Sequence, residues 1–437
     1  MKLKDFIYII IFAFCSCLEV VASDRADLDS IPDEYLPSDS IFAQYLKSRN
    51  IPIYNNNEME LLPSGRIKFE NLFESIREAK HHIHLEYFNF RSDSIAKEIF
   101  TLLAEKAKEG VEVRAMFDDF GNLSNNRPLR KEHLKMLNER GIEIISFDPM
   151  KFPYVNHAFG RDHQKIVIID GKKGYTGGMN IADYYINGLP GIGAWRDMHI
   201  CIEGPAVTGL QKAFLSTWNK ETKQNIGGEA YFPYGEDSVY TPEQLGKQVA
   251  IVQRVPHKAP DAMRRAYIEA MDAAEHQIRI VTPYFSPTMA LRKAIYRALD
   301  RGVKVEIMIS EKADIPFSPD GGFYFANRFR KAGAHVYVYK GGFHHTKVMT
   351  VDDRFCTVGS ANLNSRSMRS DYEINAFIMD LQITYELDEI YRKDKADSER
   401  MTKEYYKHRG AWRNFVGRFA SRLTPPIYPG KIIPPFQ

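Results

Sequence analysis

Two stretches of the chain carry the same order of apolar and polar positions. In the first, an apolar run holding Ile83-His84-Leu85 is followed by Tyr87-Phe88 and a helical stretch rich in Ala, Leu, Glu and Lys. Gly110-Val111-Glu112-Val113, a second helical stretch and Gly141-Ile142-Glu143-Ile144 come next. In the second, Ile278-Arg279-Ile280 leads to Tyr284-Phe285, Gly302-Val303-Lys304-Val305 and Gly333-Ala334-His335-Val336 in the same order. Strand, helix, Gly, strand, helix, Gly, strand is the succession that βαβ crossovers produce. A glycine closes each helix, and the next strand runs parallel in a sheet covered on both faces. The pattern predicts an α/β protein made of one unit written twice.

Each unit ends in a second shared pattern. His163-Gln-Lys165 precedes Gly177-Gly178-Met179-Asn180, and His345-Thr-Lys347 precedes Gly359-Ser360-Ala361-Asn362. The glycines of the two units are offset by 192 residues and the histidines by 182, so the first unit carries ten extra residues between Ser146 and Arg161, in a loop with Phe152, Pro153 and Tyr154. The units span about 60–220 and 245–390, joined by a Gly/Pro-containing connector at 221–244. The polar, turn-rich residues 24–59 read as an extended N-terminal arm, and 391–437 as a C-terminal extension.

The run from His163 to Ile169 reads as a strand by its β-branched content, which puts His163 and Lys165 on one face; the same holds for His345 and Lys347. An imidazole able to act as nucleophile or proton carrier then sits beside an ammonium. With the side-chain amides of Asn180 and Asn362 as substrate-binding donors, the set suits a phosphoryl group, whose anionic oxygens want several donors. Two copies supply one imidazole to attack phosphorus and one to protonate the leaving alkoxide, with no metal or other cofactor required. Asp170 and Asp352 complete the repeated motif and are counted with the catalytic set. Each lies five residues past its lysine, so an unbroken strand would turn it to the opposite face, and Asp170-Gly171 and Asp352-Asp353 also read as turns. They receive no proton-transfer role.

With two HxKxxxxD motifs, each followed by G-G/S-x-N, the chain resembles the phospholipase D superfamily. Trp195-Arg196-Asp197, Ile202-Glu-Gly-Pro205, Thr282-Pro283-Tyr284-Phe285 and Gly359-Ser-Ala-Asn362 add similarity to its bacterial cardiolipin synthase branch over about 60–425. The resemblance implies two α/β/α lobes related by a pseudo-twofold axis, with the active site between them. One histidine, usually the first copy's, forms a phosphohistidine, and the other acts as acid and then base. It also implies that Glu373 orients His163 and Asp197 orients His345. The implied reaction is transphosphatidylation, with phosphatidylglycerol as donor and a lipid hydroxyl as acceptor. Hydrolysis to phosphatidic acid is the alternative, and a secreted nuclease is a more distant one. Asp162 stands where the branch commonly has asparagine and adds negative charge near the phosphate, and His344 precedes the second motif. The branch's paired N-terminal membrane spans are replaced by a shorter segment.

That segment has Lys2 and Lys4 ahead of a largely apolar run from Phe6 to Leu18. About 20 Å of helix is too short for a bilayer core of about 30 Å, so residues 1–23 read as an export signal or a short anchor, placing the body at the outer side of a cell membrane. At the other end, Trp412, Phe415, Val416, Phe419 and Leu423 recur at helical spacing with Arg409, Arg413, Arg418 and Arg422 between them. A basic amphipathic helix over 405–423 can lie on anionic lipid or pack its stripe on the body. Pro425 to Pro435 form an extended tail. A balance of 59 basic against 56 acidic residues supplies no nucleic-acid footprint. His81, His82 and His84 read as ordinary polar positions, Asp118-Asp119 as capping or turn residues, and Cys201 and Cys356 as buried apolar ones. The partners implied are a phospholipid substrate and a membrane surface.

Overall fold

The computed structural model describes residues 37–151, 159–235, 246–314 and 318–423. The export-like segment, the arm before residue 37, Phe152–Tyr154, the end of the connector and the Pro-rich tail lie outside the described residues.

Each unit folds as a lobe with three successive parallel strands, as the paired glycines require. The first lobe holds β1 (Tyr54–Leu62), β2 (His82–Tyr87), β3 (Glu112–Asp118), β4 (Ile142–Phe147), β5 (Ile166–Ile169), β6 (Lys173–Gly177), β7 (Ala194–Arg196) and β8 (His199–Glu203). The second holds β9 (Lys247–Arg254), β10 (Gln277–Val281), β11 (Lys304–Ser310), β12 (His335–Tyr339), β13 (Gly342–His344), β14 (Val348–Val351), β15 (Phe355–Gly359), β16 (Glu373–Met379) and β17 (Ser398–Arg400). Strands β2, β3 and β4 pair parallel, as do β10, β11 and β12, while the motif strands β5 and β14 join antiparallel. Gly141 and Gly333 each follow a helix with φ of +86° and +107°, a conformation open to glycine at little cost.

From the centre outward the lobes repeat one order, β1-β8-β6-β5-β2-β3-β4 and β9-β16-β15-β14-β10-β11-β12-β17. The central strands β1 and β9 pair antiparallel, so one twisted sheet of fifteen strands passes through both lobes. Antiparallel pairing of equivalent strands is what a twofold relation demands. Each lobe has its own apolar core, and a third cluster joins them. Ile166, Ile168, Ile200 and Trp218 from one side meet Val348, Val358, Ile374 and Ala376 from the other. Burial of that shared cluster fixes one lobe against the other.

Two expectations change here. The arm is not a free extended segment over its described residues. Ser38–Ser48 is a helix that buries Phe42 and Leu46 in the second lobe's core, with Phe42 stacked 4.9 Å from Phe355, and Tyr54–Leu62 is the strand at the molecular centre. Its polar composition is explained by Asn57, whose buried amide bonds Tyr54 O, Lys247 O and the Ala206 N–H. The C-terminal stretch is two helices, Lys403–His408 and Ala411–Leu423, because Gly410 turns the chain at φ +90°. Helix Leu381–Ala396 and strand β17 also continue the second lobe past residue 390.

Candidate functional site

The laddered strands begin three residues later than the motif pattern suggests, at Ile166 and Val348. His163 and His345 instead sit where the chain crosses between lobes. The His163 N–H donates to Tyr372 O at 3.1 Å and the His345 N–H to Arg196 O at 2.6 Å. Each acceptor is the neighbour of the acidic residue that the same histidine's ring meets. Asp162 bridges Tyr372, and β13 pairs with β7 across the interface, carrying Phe343 into the first lobe's core. The two motifs are thereby threaded through each other's lobes.

His163 Nδ1 lies 3.1 Å from both carboxylate oxygens of Glu373, and His345 Nδ1 lies 2.7 Å from Asp197 Oδ2. A carboxylate at Nδ1 fixes the proton there and leaves Nε2 to act. Nε2 of His163 has no hydrogen-bond partner among the described residues, and its side chain is 16% exposed. Lys347 Nζ is 2.9 Å from His345 Nδ1 and 3.0 Å from Nε2, and the His345 side chain is 7% exposed. Lys165 bonds the His163 carbonyl and lies 5.5 Å from the Phe88 ring centroid.

The charges belong to one site. Burial depresses both histidines, His163 the further, and Lys165 and Lys347 both push His163 in the same direction. Burial lowers Lys165 to about 7, with Glu373 opposing and Lys347 reinforcing, and lowers Lys347 to about 8 against the pull of Asp197 and Glu373. Lysines of both copies thus act on each other and on carboxylates of both lobes. A dianionic or monoanionic phosphoryl group entering here would favour their charged forms.

Aromatic walls surround the imidazoles. Phe88 stands edge-on to His163 at 5.2 Å, and Trp195, Phe343 and Tyr284 lie 5.6, 5.4 and 5.9 Å from His345. The Tyr284 hydroxyl donates to Asp314. The sequence offered the doublets Tyr87-Phe88 and Tyr284-Phe285 but not which ring faces the site. The first lobe buries Tyr87 and presents Phe88, whereas the second buries Phe285 and presents Tyr284. Asp314 had no signal in the motif. Asn180 and Asn362 are both buried, and each has a side-chain oxygen without a partner; Asn180 Nδ2 donates to the Tyr185 hydroxyl at 3.3 Å.

Asp170 and Asp352, counted with the catalytic set by motif, have carboxylates engaged by backbone N–H groups. Asp170 accepts from the N–H groups of Lys80, His81 and His82 at 2.7–3.0 Å, and Asp352 from those of Glu275, His276 and Gln277 at 2.7–2.8 Å. Both sit at φ near +54° at the turn after the motif strand, so their carboxylates lock the start of β2 and β10 to that turn. The odd spacing to lysine already pointed away from the phosphate. Asp162 is buried and turns toward Glu86 and Gln164. Burial raises the carboxyls of both Glu86 and Asp162 above their ordinary range. His344 bonds Asp394 at 3.1 Å. His84 stacks on Phe214 and meets Gln211, an ordinary buried imidazole. Asp118 caps a helix and holds the fully buried Arg161 ahead of the first motif. Cys201 and Cys356 are buried thiols.

The chain matches the family described as "Cardiolipin synthase, PLD-like domain" twice, over residues 72–218 and 267–395, once in each lobe. It is 37% identical over 373 residues to the major cardiolipin synthase ClsA of Bacillus subtilis, covering 85% of this chain and 76% of that one. It is 34% identical over 384 residues to the cardiolipin synthase of Oceanobacillus iheyensis, covering 88% and 78%. The solved fold of phosphatidylserine synthase from Haemophilus influenzae superposes with a TM-score of 0.69 at 16% identity, covering 88% of this chain and 97% of that one. The chain belongs to the cardiolipin synthase family of phospholipase D-like enzymes.

Proposed function

We propose that the protein synthesises cardiolipin by transphosphatidylation between two phosphatidylglycerol molecules. Nε2 of His163 attacks the phosphorus of the donor. A P–N bond forms, the P–O bond to the glycerol headgroup breaks, and His345 protonates the departing glycerol oxygen. His345 then takes the proton from the headgroup hydroxyl of a second phosphatidylglycerol. That oxygen attacks phosphorus, the P–N bond breaks, and His163 is restored. Lys165 and Lys347 balance the phosphoryl charge, and the amides of Asn180 and Asn362 bind its oxygens.

One observation supports the reading above all: each motif histidine bonds a carboxylate of the opposite lobe, so both imidazoles share one site. The choice of His163 as nucleophile is supported by its unpartnered Nε2 and its greater exposure, against a His345 crowded by Lys347. Work at a membrane surface, on its outer side as the N-terminal segment suggests, is part of the same proposal. Among the described residues no helix is long and apolar enough to cross a membrane.

The test is incubation of the purified protein with phosphatidylglycerol vesicles, with and without EDTA, followed by lipid analysis. Cardiolipin with an equal amount of glycerol is expected in both. Phosphatidic acid without cardiolipin would mean that water is the acceptor, and loss of activity in EDTA would contradict a metal-free phosphohistidine route.

A further inference from the structure

The helix Ala411–Leu423 does not bury its aromatic row. Its contact with the body is made by the opposite face, where a Cβ on Gly417 would lie 2.3 Å from Asp320 O and 3.5 Å from Tyr324 Cβ. The missing side chain lets this helix lie directly on helix Ser318–Lys331. Arg409 and Arg413 both reach the Asp320 carboxylate, and Arg409 stacks 3.4 Å over the Phe323 ring, fixing the helix's rotation about its axis. At 100° per residue, Trp412, Phe415 and Phe419 fall within about 40° of the point opposite Gly417. They are 71%, 59% and 54% exposed.

A basic cleft opens beside this row. It encloses about 520 Å³ and is lined by Tyr296, Tyr324, Tyr406, Arg328, Lys331 and Arg418. Among the described residues, Arg328, Lys331 and Arg418 form no ion pair with a carboxylate. Three uncompensated cations and three phenols next to three exposed aromatic rings combine anion recognition with apolar insertion. Arg409 and Arg413, by contrast, both pair with Asp320, Arg409 buried and Arg413 exposed.

We propose that this face docks the enzyme on an anionic lipid surface: Trp412, Phe415 and Phe419 enter the headgroup–acyl boundary while Arg328, Lys331 and Arg418 hold a lipid phosphate. Charge complementarity selects this occupant over an uncharged apolar partner. Helix Ser318–Lys331 starts four residues after Asp314, which bonds Tyr284 beside His345, so the docking helix rests on the element that leads out of the catalytic site. The proposal rests on the lipid-substrate reading but adds a contact outside the reaction centre.

Trp412 is its own reporter, since Trp195 and Trp218 are buried. The full chain would be titrated with vesicles of phosphatidylcholine containing phosphatidic acid, and with pure phosphatidylcholine. The emission of Trp412 would be isolated as the difference between the wild type and Trp412→Phe. A blue shift with the anionic vesicles alone is expected. Phe415→Ser/Phe419→Ser should weaken binding by about tenfold or more. Each of Arg328→Gln, Lys331→Gln and Arg418→Gln should weaken it by about fivefold and flatten its salt dependence. His163→Ala should dock like the wild type.

Emission of Trp412 that is already blue-shifted in the free protein would mean that residues 424–437 or a second copy cover the row, and would overturn the proposal. So would vesicle binding that the aromatic and basic substitutions leave unchanged. Docking without cardiolipin formation would sink the proposed activity and leave this surface standing; cardiolipin formation with Trp412 still exposed to water would do the reverse.

Discussion

Burial pushes Glu373, the partner of His163, up to about 7, with Lys165 only partly opposing it; Asp197, the partner of His345, is held below the ordinary carboxylate range because Lys347 and His345 outweigh its burial. The neighbours differ in step. Ser360 donates to Glu373 and accepts from the Ile374 N–H, whereas the equivalent Gly178 has no side chain, and a Cβ there would lie 2.1 Å from Asp197 Oδ1. A longer acid with a serine prop and a shorter acid pressed against glycine therefore solve the same positioning task. Asp197, firmly ionised, draws His345 back toward the imidazolium against its burial, as the proposed proton donor requires. The half-site with the strongly depressed His163 keeps its imidazole neutral, which suits the nucleophile. Duplication supplied the parts, and their unequal surroundings are the basis of the roles proposed for each histidine.

The sharpest way to break this comparison is to remove each histidine. His163→Ala should lose turnover and the covalent adduct together, by a factor of about 10⁴ or more. His345→Ala should lose about 10²–10⁴ while adduct still forms slowly from labelled phosphatidylglycerol. The opposite pattern would exchange the roles.

Lys347→Met comes next, and its two effects run in opposite directions. Activity should fall at least about a hundredfold, as an anion-stabilising charge is lost. The thermal midpoint should rise, because a folded-state value near 8 against an ordinary 10.5 means that burial disfavours the ammonium by ~3 kcal/mol. That cost is present in full below pH 8 and disappears as pH rises toward 10.5, so the stabilisation should shrink over the same interval. Melting curves across pH 7 to about 10.5 would check it; a gain that grows with pH would be inconsistent.

Gly178→Ala should be costlier than Ser360→Ala. The first drives a methyl group into Asp197, and about a hundredfold loss in kcat is expected; the second removes one hydrogen bond from Glu373 and should cost about tenfold. Steady-state rates of the two variants decide it. The pH profile refines the same contrast. Wild-type kcat/KM should fall as pH drops through about 7 and Glu373 takes up a proton. Glu373→Gln should abolish that limb, while Asp197→Asn should lower the rate at every pH and leave the limb in place.

Asp170→Ala and Asp352→Ala should show the smallest chemical effect and a mainly structural one. Each strands three backbone N–H groups, and a loss of roughly 2–4 kcal/mol in denaturant titration is expected. A rate per folded molecule that collapses in either variant would return them to the catalytic set.

Much of this site was legible in the chain because a duplicated pattern is its own control. His163 and Lys165, Asn180 and their counterparts stand at matching offsets, and matching offsets in a twofold fold put like groups in like places. Asp170 and Asp352 show the limit of motif membership, since their co-occurrence with the His-Lys pairs goes with a turn that the motif strand needs. The ring facing each histidine was hidden for a different reason. Tyr87-Phe88 and Tyr284-Phe285 are both aromatic, so composition cannot tell the buried member from the site member. The N-terminal helix was missed because Phe42 finds its aromatic partners in Phe355 and Phe377, more than 300 residues further along the chain.

The order of elements, the duplication and the identity of the His-Lys pairs were written in the sequence by itself, since they follow from local periodicity and spacing. The meeting of the two pairs, the unlike surroundings of Glu373 and Asp197 and the outward turn of Trp412 were decided only by tertiary structure. Each depends on which distant surfaces exclude water from one another, and burial of that kind is a property of the packed molecule that no single segment carries.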